Sequence, residues 1–159
     1  MESFLDLVER LVRPLLAFLL AFITIGIFIV VVARYIFATS FLFGEELSLF
    51  AFIWCVFLGA ALCVRHRTHF AFDYFETLGG RAAGVQRLVV DLTVLAMALL
   101  IVVEGWNFAE LGVRRLSPAL GISLFLPTLV IPASGVLMVL ALVGHIRRDI
   151  RRIVTGRES

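Results

Sequence analysis

Between Arg13 and Arg34 lie 20 residues without a single charge, and this run limits the chain's possible folds more than any other feature. As a helix it spans about 30 Å, the thickness of bilayer hydrocarbon. The 18 residues between Glu46 and Arg65 are likewise uncharged, and no charge appears from Ser117 to Gly144. Only 16% of the residues are charged and 62% are hydrophobic, against about a quarter charged in a water-soluble domain, and the mean hydropathy is +1.07. The solvent is lipid, where only helices and closed barrels satisfy their backbone groups. The apolar residues come in long blocks, not in the alternating ten-residue segments of a barrel. The expected fold is an all-α membrane protein, a single membrane domain over residues 1–159.

Four transmembrane helices are predicted, at 14–36, 46–64, 86–109 and 123–146. The third contains Asp91, within a turn of Arg87, and Glu104, placed with Trp106 near the outer interface; Pro127 and Pro132 interrupt the fourth run. All 14 basic residues are arginine. Arg10 and Arg13 precede span one, Arg65, Arg67, Arg81 and Arg87 join spans two and three, and Arg147, Arg148, Arg151, Arg152 and Arg157 lie in a basic tail, 147–159. Only Arg34, Arg114 and Arg115 fall on the other side. The positive-inside rule makes both termini cytoplasmic. Phe4, Leu7, Val8, Leu11 and Val12 share a helical face, so an amphipathic interfacial helix is expected over 3–13, with Pro14 in the first turn of span one. Glu2, Asp6 and Glu9, the length of the apolar run and the lack of an A-x-A site argue against a cleavable signal. Phe70, Tyr74, Phe75 and Leu78 share a face ahead of Gly79 and Gly80, predicting a second interfacial helix over 69–78. On it His69 and Asp73, at i and i+4, form a local cap or an ion pair.

Within span two, Ala51, Cys55, Gly59 and Cys63 make a stripe of small residues for close helix packing, inside this chain or against a partner. The two cysteines are eight residues apart, about 12 Å of rise, too far to pair. Trp54 lies two turns from Glu46, deeper than an interfacial tryptophan, and is expected to pack against protein. Glu45 and Glu46 sit in the first turn of span two, where negative charge meets the positive helix end, with Arg34 at the end of span one. The three are expected to meet at the outer edge, flanked by Phe37, Phe41 and Phe43; a contact with a partner is a compatible reading. No nucleophile, base and orienting group come together, and neither a phosphate loop nor metal-ligand spacing is present. No cofactor or metal is expected, and there is no polar basic platform for nucleic acid. His66 and His145 are the one cross-helix pair suited to haem ligation, giving an alternative reading as the membrane anchor of an electron-transfer complex. A stand-alone transporter would show internal repeats and polar groups at the bilayer midplane.

The string GEELSLFAFIWCVFLGAALCVRHRTHFAFDYF, with the later SPALGISLFLPTLVIPASGVLMVL, resembles the small membrane subunit of tripartite ATP-independent periplasmic (TRAP) transporters. Its matching features are Arg34, Glu45, Glu46, Trp54, the Gly59–Ala61 run, Arg65, His69, Asp73 and the Ile131, Pro132, Gly135 pattern. The resemblance implies a non-catalytic subunit of the bacterial inner membrane. Its partners would be a large sodium-driven elevator subunit and a soluble periplasmic substrate-binding protein that delivers an organic acid. Arg114 and Arg115, the one basic pair on the outer side, then have two readings: docking an acidic patch of the binding protein, or simple solvation of a loop.

Overall fold

The computed structural model describes the backbone of residues 2–38, 41–66 and 81–155, with side chains over 6–38, 41–66 and 89–147. Five helices follow in order: α1 (Glu2–Ile36), α2 (Leu42–Arg65), α3 (Arg81–Val113), α4 (Phe125–Thr128) and α5 (Val130–Thr155). Among the described residues the one β feature is an isolated antiparallel bridge between Leu116 and Ser123. Four stretches are long and apolar enough to cross a membrane: Asp6–Ile36, Leu42–Arg65, Val89–Val113 and Phe125–Arg147. The interfacial helix expected over 69–78, with His69 and Asp73, lies outside the described residues, as does the end of the tail beyond Thr155.

Of the two proline sites, one departs from the expected outline and the other follows the expected interruption. Pro14, expected to open a new helix, lies inside α1, which runs unbroken from the amphipathic segment into the span. Proline removes one N–H and leaves the carbonyl four residues earlier without its helical partner. An interrupted turn would expose several backbone groups, which hydrocarbon penalises more heavily than one orphaned carbonyl. At the other end, Pro132 cannot donate to Thr128, and the fourth span divides at Leu129 into the single turn of α4 and the long α5. The Thr128 hydroxyl lies 2.7 Å from the Leu124 carbonyl oxygen and 3.1 Å from that of Phe125, so the break stays internally hydrogen-bonded.

The helices stand in a row and do not close into a ring: α1 packs on α2, α2 on α5, and α5 on α3. The α5 span is half buried by its neighbours, whereas only 6% of the α1 span is buried, so α5 is an interior plank and α1 an edge. One core cluster joins Ala61 and Val64 of α2, Ala98 of α3 and Met138 and Leu142 of α5. A second joins Val12 of α1, Leu58 of α2 and Val130 of α5, with Trp54 and Ile131 packed against it. Small residues set the spacing, as expected where van der Waals contact, not water, drives association. A Cβ on Gly105 of α3 would lie 2.8 Å from Ile131 Cγ2 and 3.1 Å from the Pro132 nitrogen, and one on Gly135 of α5 would lie 3.1 Å from the Val102 nitrogen.

Candidate functional site

One end of the row, expected to be the outer one and so termed the outer end, gathers Arg34, Glu45, Glu46 and the 114–124 loop, and there the two adjacent acids part company. Arg34 Nη2 donates to Glu45 Oε1 across the α1–α2 hairpin. With side-chain exposures of 56% and 39%, this pair contributes at most about 1 kcal/mol. Glu46 turns the other way: its Oε2 accepts the backbone N–H groups of Ala119 at 3.0 Å and Leu120 at 3.1 Å. Consecutive residues on a helix point about 100° apart, so both acids cannot face α1, and the expected three-way cluster resolves into one ion pair and one loop anchor. Below the pair, a Cβ on Gly44 would lie 2.8 Å from Val30 Cγ2, which lets α2 approach α1 closely where the two charges meet.

The loop held by Glu46 is hydrogen-bonded throughout. Ser117 N–H donates to the Ile122 carbonyl at 2.8 Å, Gly121 N–H to that of Ser117 at 2.9 Å, and Leu124 N–H to that of Arg115 at 3.0 Å. Gly121 adopts φ 65°, the left-handed geometry that favours glycine. Ser123 donates its hydroxyl to the Gly112 carbonyl at 3.1 Å. Arg114 and Arg115 are exposed on this turn, so two cations are presented on a backbone with little freedom.

The opposite end, expected to be inner and so termed the inner end, carries a cluster that sequence reasoning missed apart from Arg65 itself. Arg65 at the end of α2 donates Nη2 to Asp6 and pairs through Nε with Glu9 Oε2 at 2.9 Å. Glu9 Oε1 also lies 2.5 Å from Arg13 Nη2 and 3.0 Å from His66 Nε2. An ionised carboxylate only accepts, so His66 Nε2 donates to Glu9, and its 3.3 Å approach to Arg13 Nη2 is not then a hydrogen bond. Arg65 Nη1 is buried without a hydrogen-bond partner. The available signal was the spacing of Asp6, Glu9 and Arg13 at i, i+3 and i+7, one face of the amphipathic segment. That face meets Arg65 and His66 because α1 continues straight through Pro14. Beside the cluster, Val8, Val12, Leu58, Leu62 and Ala141 line a cleft of about 20 Å³, close to the space of one water molecule.

Trp54 is half-buried and packs against the second core cluster. Gly59 has nothing within 4 Å of where a Cβ would stand; of the small-residue stripe, Ala51 is buried while Gly59 faces away from its own chain. Asp91 and His145 are buried at 8% and 4% exposure. His66 is engaged with Glu9 of α1. Among the described residues no group of three or more His, Cys, Asp or Glu is placed to hold a metal ion. Apart from Arg13, which pairs with Glu9 within α1, the acids and bases of these clusters bridge two elements of the fold, and the arrangement is one that fixes helices.

Comparison with known proteins gives a consistent family signal. The sequence profile described as "Tripartite ATP-independent periplasmic transporters, DctQ component" matches residues 23–152. A Haemophilus influenzae protein whose name is that of a TRAP transporter small permease protein is 26% identical over 157 residues, 98% of each chain. The C4-dicarboxylate TRAP transporter small permease protein DctQ of Vibrio cholerae is 29% identical over 107 residues, 67% of this chain and 45% of that relative. The isethionate TRAP transporter permease protein DctMQ of Oleidesulfovibrio alaskensis is 27% identical over 117 residues, 72% of this chain but 18% of that relative.

Proposed function

Because the chain belongs to the DctQ component family of tripartite ATP-independent periplasmic transporters, we propose that it is the non-catalytic small subunit that scaffolds a large, sodium-coupled elevator subunit during uptake of an organic acid. One observation carries this reading. The two charge clusters are engaged in holding α1 to α2 and α2 to the outer loop. A subunit whose clustered charges bind its own helices serves transport by holding something else in place.

The partners and the substrate class draw on the relatives. One relative's name joins DctM to DctQ in a single chain, which supports a lasting association with the large subunit. Two relatives are named for C4-dicarboxylate and isethionate, which supports a small organic acid as cargo. The chain lies in the bacterial inner membrane with both termini cytoplasmic; the excess of arginine on one side supports that orientation. The substrate-binding protein docks at the outer end, where Arg114 and Arg115 stand exposed on the anchored turn. The test is reconstitution. Tagged protein should bring down a large polytopic subunit, and proteoliposomes should take up substrate only with both membrane subunits, binding protein and a sodium gradient. Transport by this chain alone, or full transport without it, overturns the reading.

A further inference from the structure

Glu104 of α3 lies nine residues, about 13 Å, from the end of the helix at Val113. A Cβ on its neighbour Gly105 would lie 2.8 Å from Ile131 Cγ2, and Ile131 packs, as Trp54 does, against the second core cluster. One to two turns of α3 further in, Ala98 shares the first cluster with Ala61 and Val64, so the register between α3, α5 and α2 agrees at two heights. Glu104 is therefore level with Trp54. Along α2 that is about 12 Å from Glu46 and about 16 Å from Arg65, the two charges that bound the uncharged run across the hydrocarbon. This register sets the carboxylate well inside the candidate span Val89–Val113, away from both of its ends.

Its side chain is exposed there. Leu100 and Leu111, on the same face of α3, are 58% and 59% exposed, and Asn107 Nδ2 reaches Glu104 Oε2 only at 3.5 Å. Acyl chains offer a carboxylate no hydrogen-bond donor, so such a group in a membrane faces protein or water and pairs with a cation. The contrast with α1 is direct: its exposed face carries Phe18, Phe28 and Ile29 and no acid between Arg13 and Arg34, a surface suited to lipid. A second copy of this chain cannot supply the cation, since no arginine or lysine occurs between residues 14 and 33, 47 and 64, 88 and 113, or 116 and 146.

We propose that the Leu100–Glu104–Asn107–Leu111 face of α3 seats a transmembrane helix of the large subunit, which brings an arginine or lysine to Glu104. The assignment rests on the proposed function and adds the face by which the two subunits meet. A photo-crosslinking amino acid is placed at Leu100, Asn107 or Phe28 of the tagged chain, co-expressed with the large subunit and binding protein. Adducts with the large subunit are expected from 100 and 107 and not from 28. Glu104→Leu should lower the co-purified large subunit roughly tenfold or more, while Glu104→Gln, which keeps a hydrogen-bond acceptor, should lower it less; the isolated variants should melt with the wild type. Full retention by Glu104→Leu, adducts from 28 alone, or adducts between two copies of this chain overturn the assignment. If the wild-type chain captures the large subunit but neither 100 nor 107 crosslinks to it, the α3 face is wrong and the proposed function stands; if it captures none, both fail.

Discussion

Removing Glu46 should loosen the outer loop far more than removing its neighbour Glu45. Glu46 Oε2 holds two backbone N–H groups, those of Ala119 at 3.0 Å and Leu120 at 3.1 Å, and a hydrogen bond to a charged group contributes about 1.5–3 kcal/mol. The Leu120 N–H is also directed at Ser117 Oγ at 3.1 Å, so Glu46→Ala orphans chiefly the Ala119 N–H. That group is half-buried and regains some water, giving a net loss of about 1–3 kcal/mol. Glu45→Ala breaks an ion pair with exposures of 39% and 56%, a loss of about 0–1 kcal/mol. At about 1.4 kcal/mol per decade, the open population of the loop rises roughly 5- to 150-fold for Glu46→Ala and less than about fivefold for Glu45→Ala. Arg114 and Arg115 make the loop a trypsin substrate only when it opens, and cleavage tracks the open population when reclosing is fast. Limited trypsinolysis from the outer face, followed by gel, measures the ratio. Glu46→Gln should fall between, because a neutral acceptor remains. Equal cleavage of the Glu45 and Glu46 alanine variants, or Glu46→Gln as labile as Glu46→Ala, would refute the anchoring role.

Three further outcomes are expected. Gly105→Ala drives a methyl into Ile131 and Pro132 and should lower stability by about 1–2 kcal/mol after the helix-propensity gain, whereas Gly59→Ala meets nothing within 4 Å and should raise it by up to about 1 kcal/mol; thermal unfolding in detergent separates them, and equal shifts would contradict the packing. Arg65→Ala removes one partner of Glu9 where both side chains are under a fifth exposed, 18% and 14%, while Arg13 and His66 remain, and should cost about 1–3 kcal/mol. Arg13→Ala, at 63% exposure, should cost under about 1 kcal/mol, so a reversed order in denaturant titration would displace Arg65 from the centre of the inner cluster. Reversing Arg114 and Arg115 to Glu should slow binding-protein-dependent uptake roughly tenfold at low salt and less at high salt; unchanged uptake would leave those side chains as loop solvation.

The spans were legible because charge marks their limits: Arg13 and Arg34, then Glu46 and Arg65, bracket runs of helical membrane length, and the structure places crossing helices over them. Pairing across helices was not legible to the same depth. Glu45 and Glu46 read as one motif along the chain, yet the helical turn between them sends one to α1 and the other to the 114–124 loop. The Asp6, Glu9, Arg65 cluster depended on α1 continuing through Pro14, a tertiary outcome that the proline argues against locally. Glu104 looked interfacial beside Trp106. The register of Glu104 depends on Gly105 meeting Ile131 and Pro132 of α5, a contact between helices far apart in the chain. The small-residue stripe showed that α2 packs closely; which of its glycines meets a helix was decided by rotation about the α2 axis, so Gly44 is filled by Val30 and Gly59 is left open.

The row order α1–α2–α5–α3 differs from the order in which the helices leave the ribosome. A chain made from its N-terminus delivers α1 and α2 as neighbours that can zip together at once. The next helix, α3, has its extensive contacts with α5, which is not yet made when α3 enters the bilayer. During that interval the close-packing seam of Ala98, Gly105 and Gly112 faces lipid or an insertase. A nascent chain stalled after Val113 is therefore a paired hairpin with an orphan helix attached, whose seam is covered only when α5 arrives.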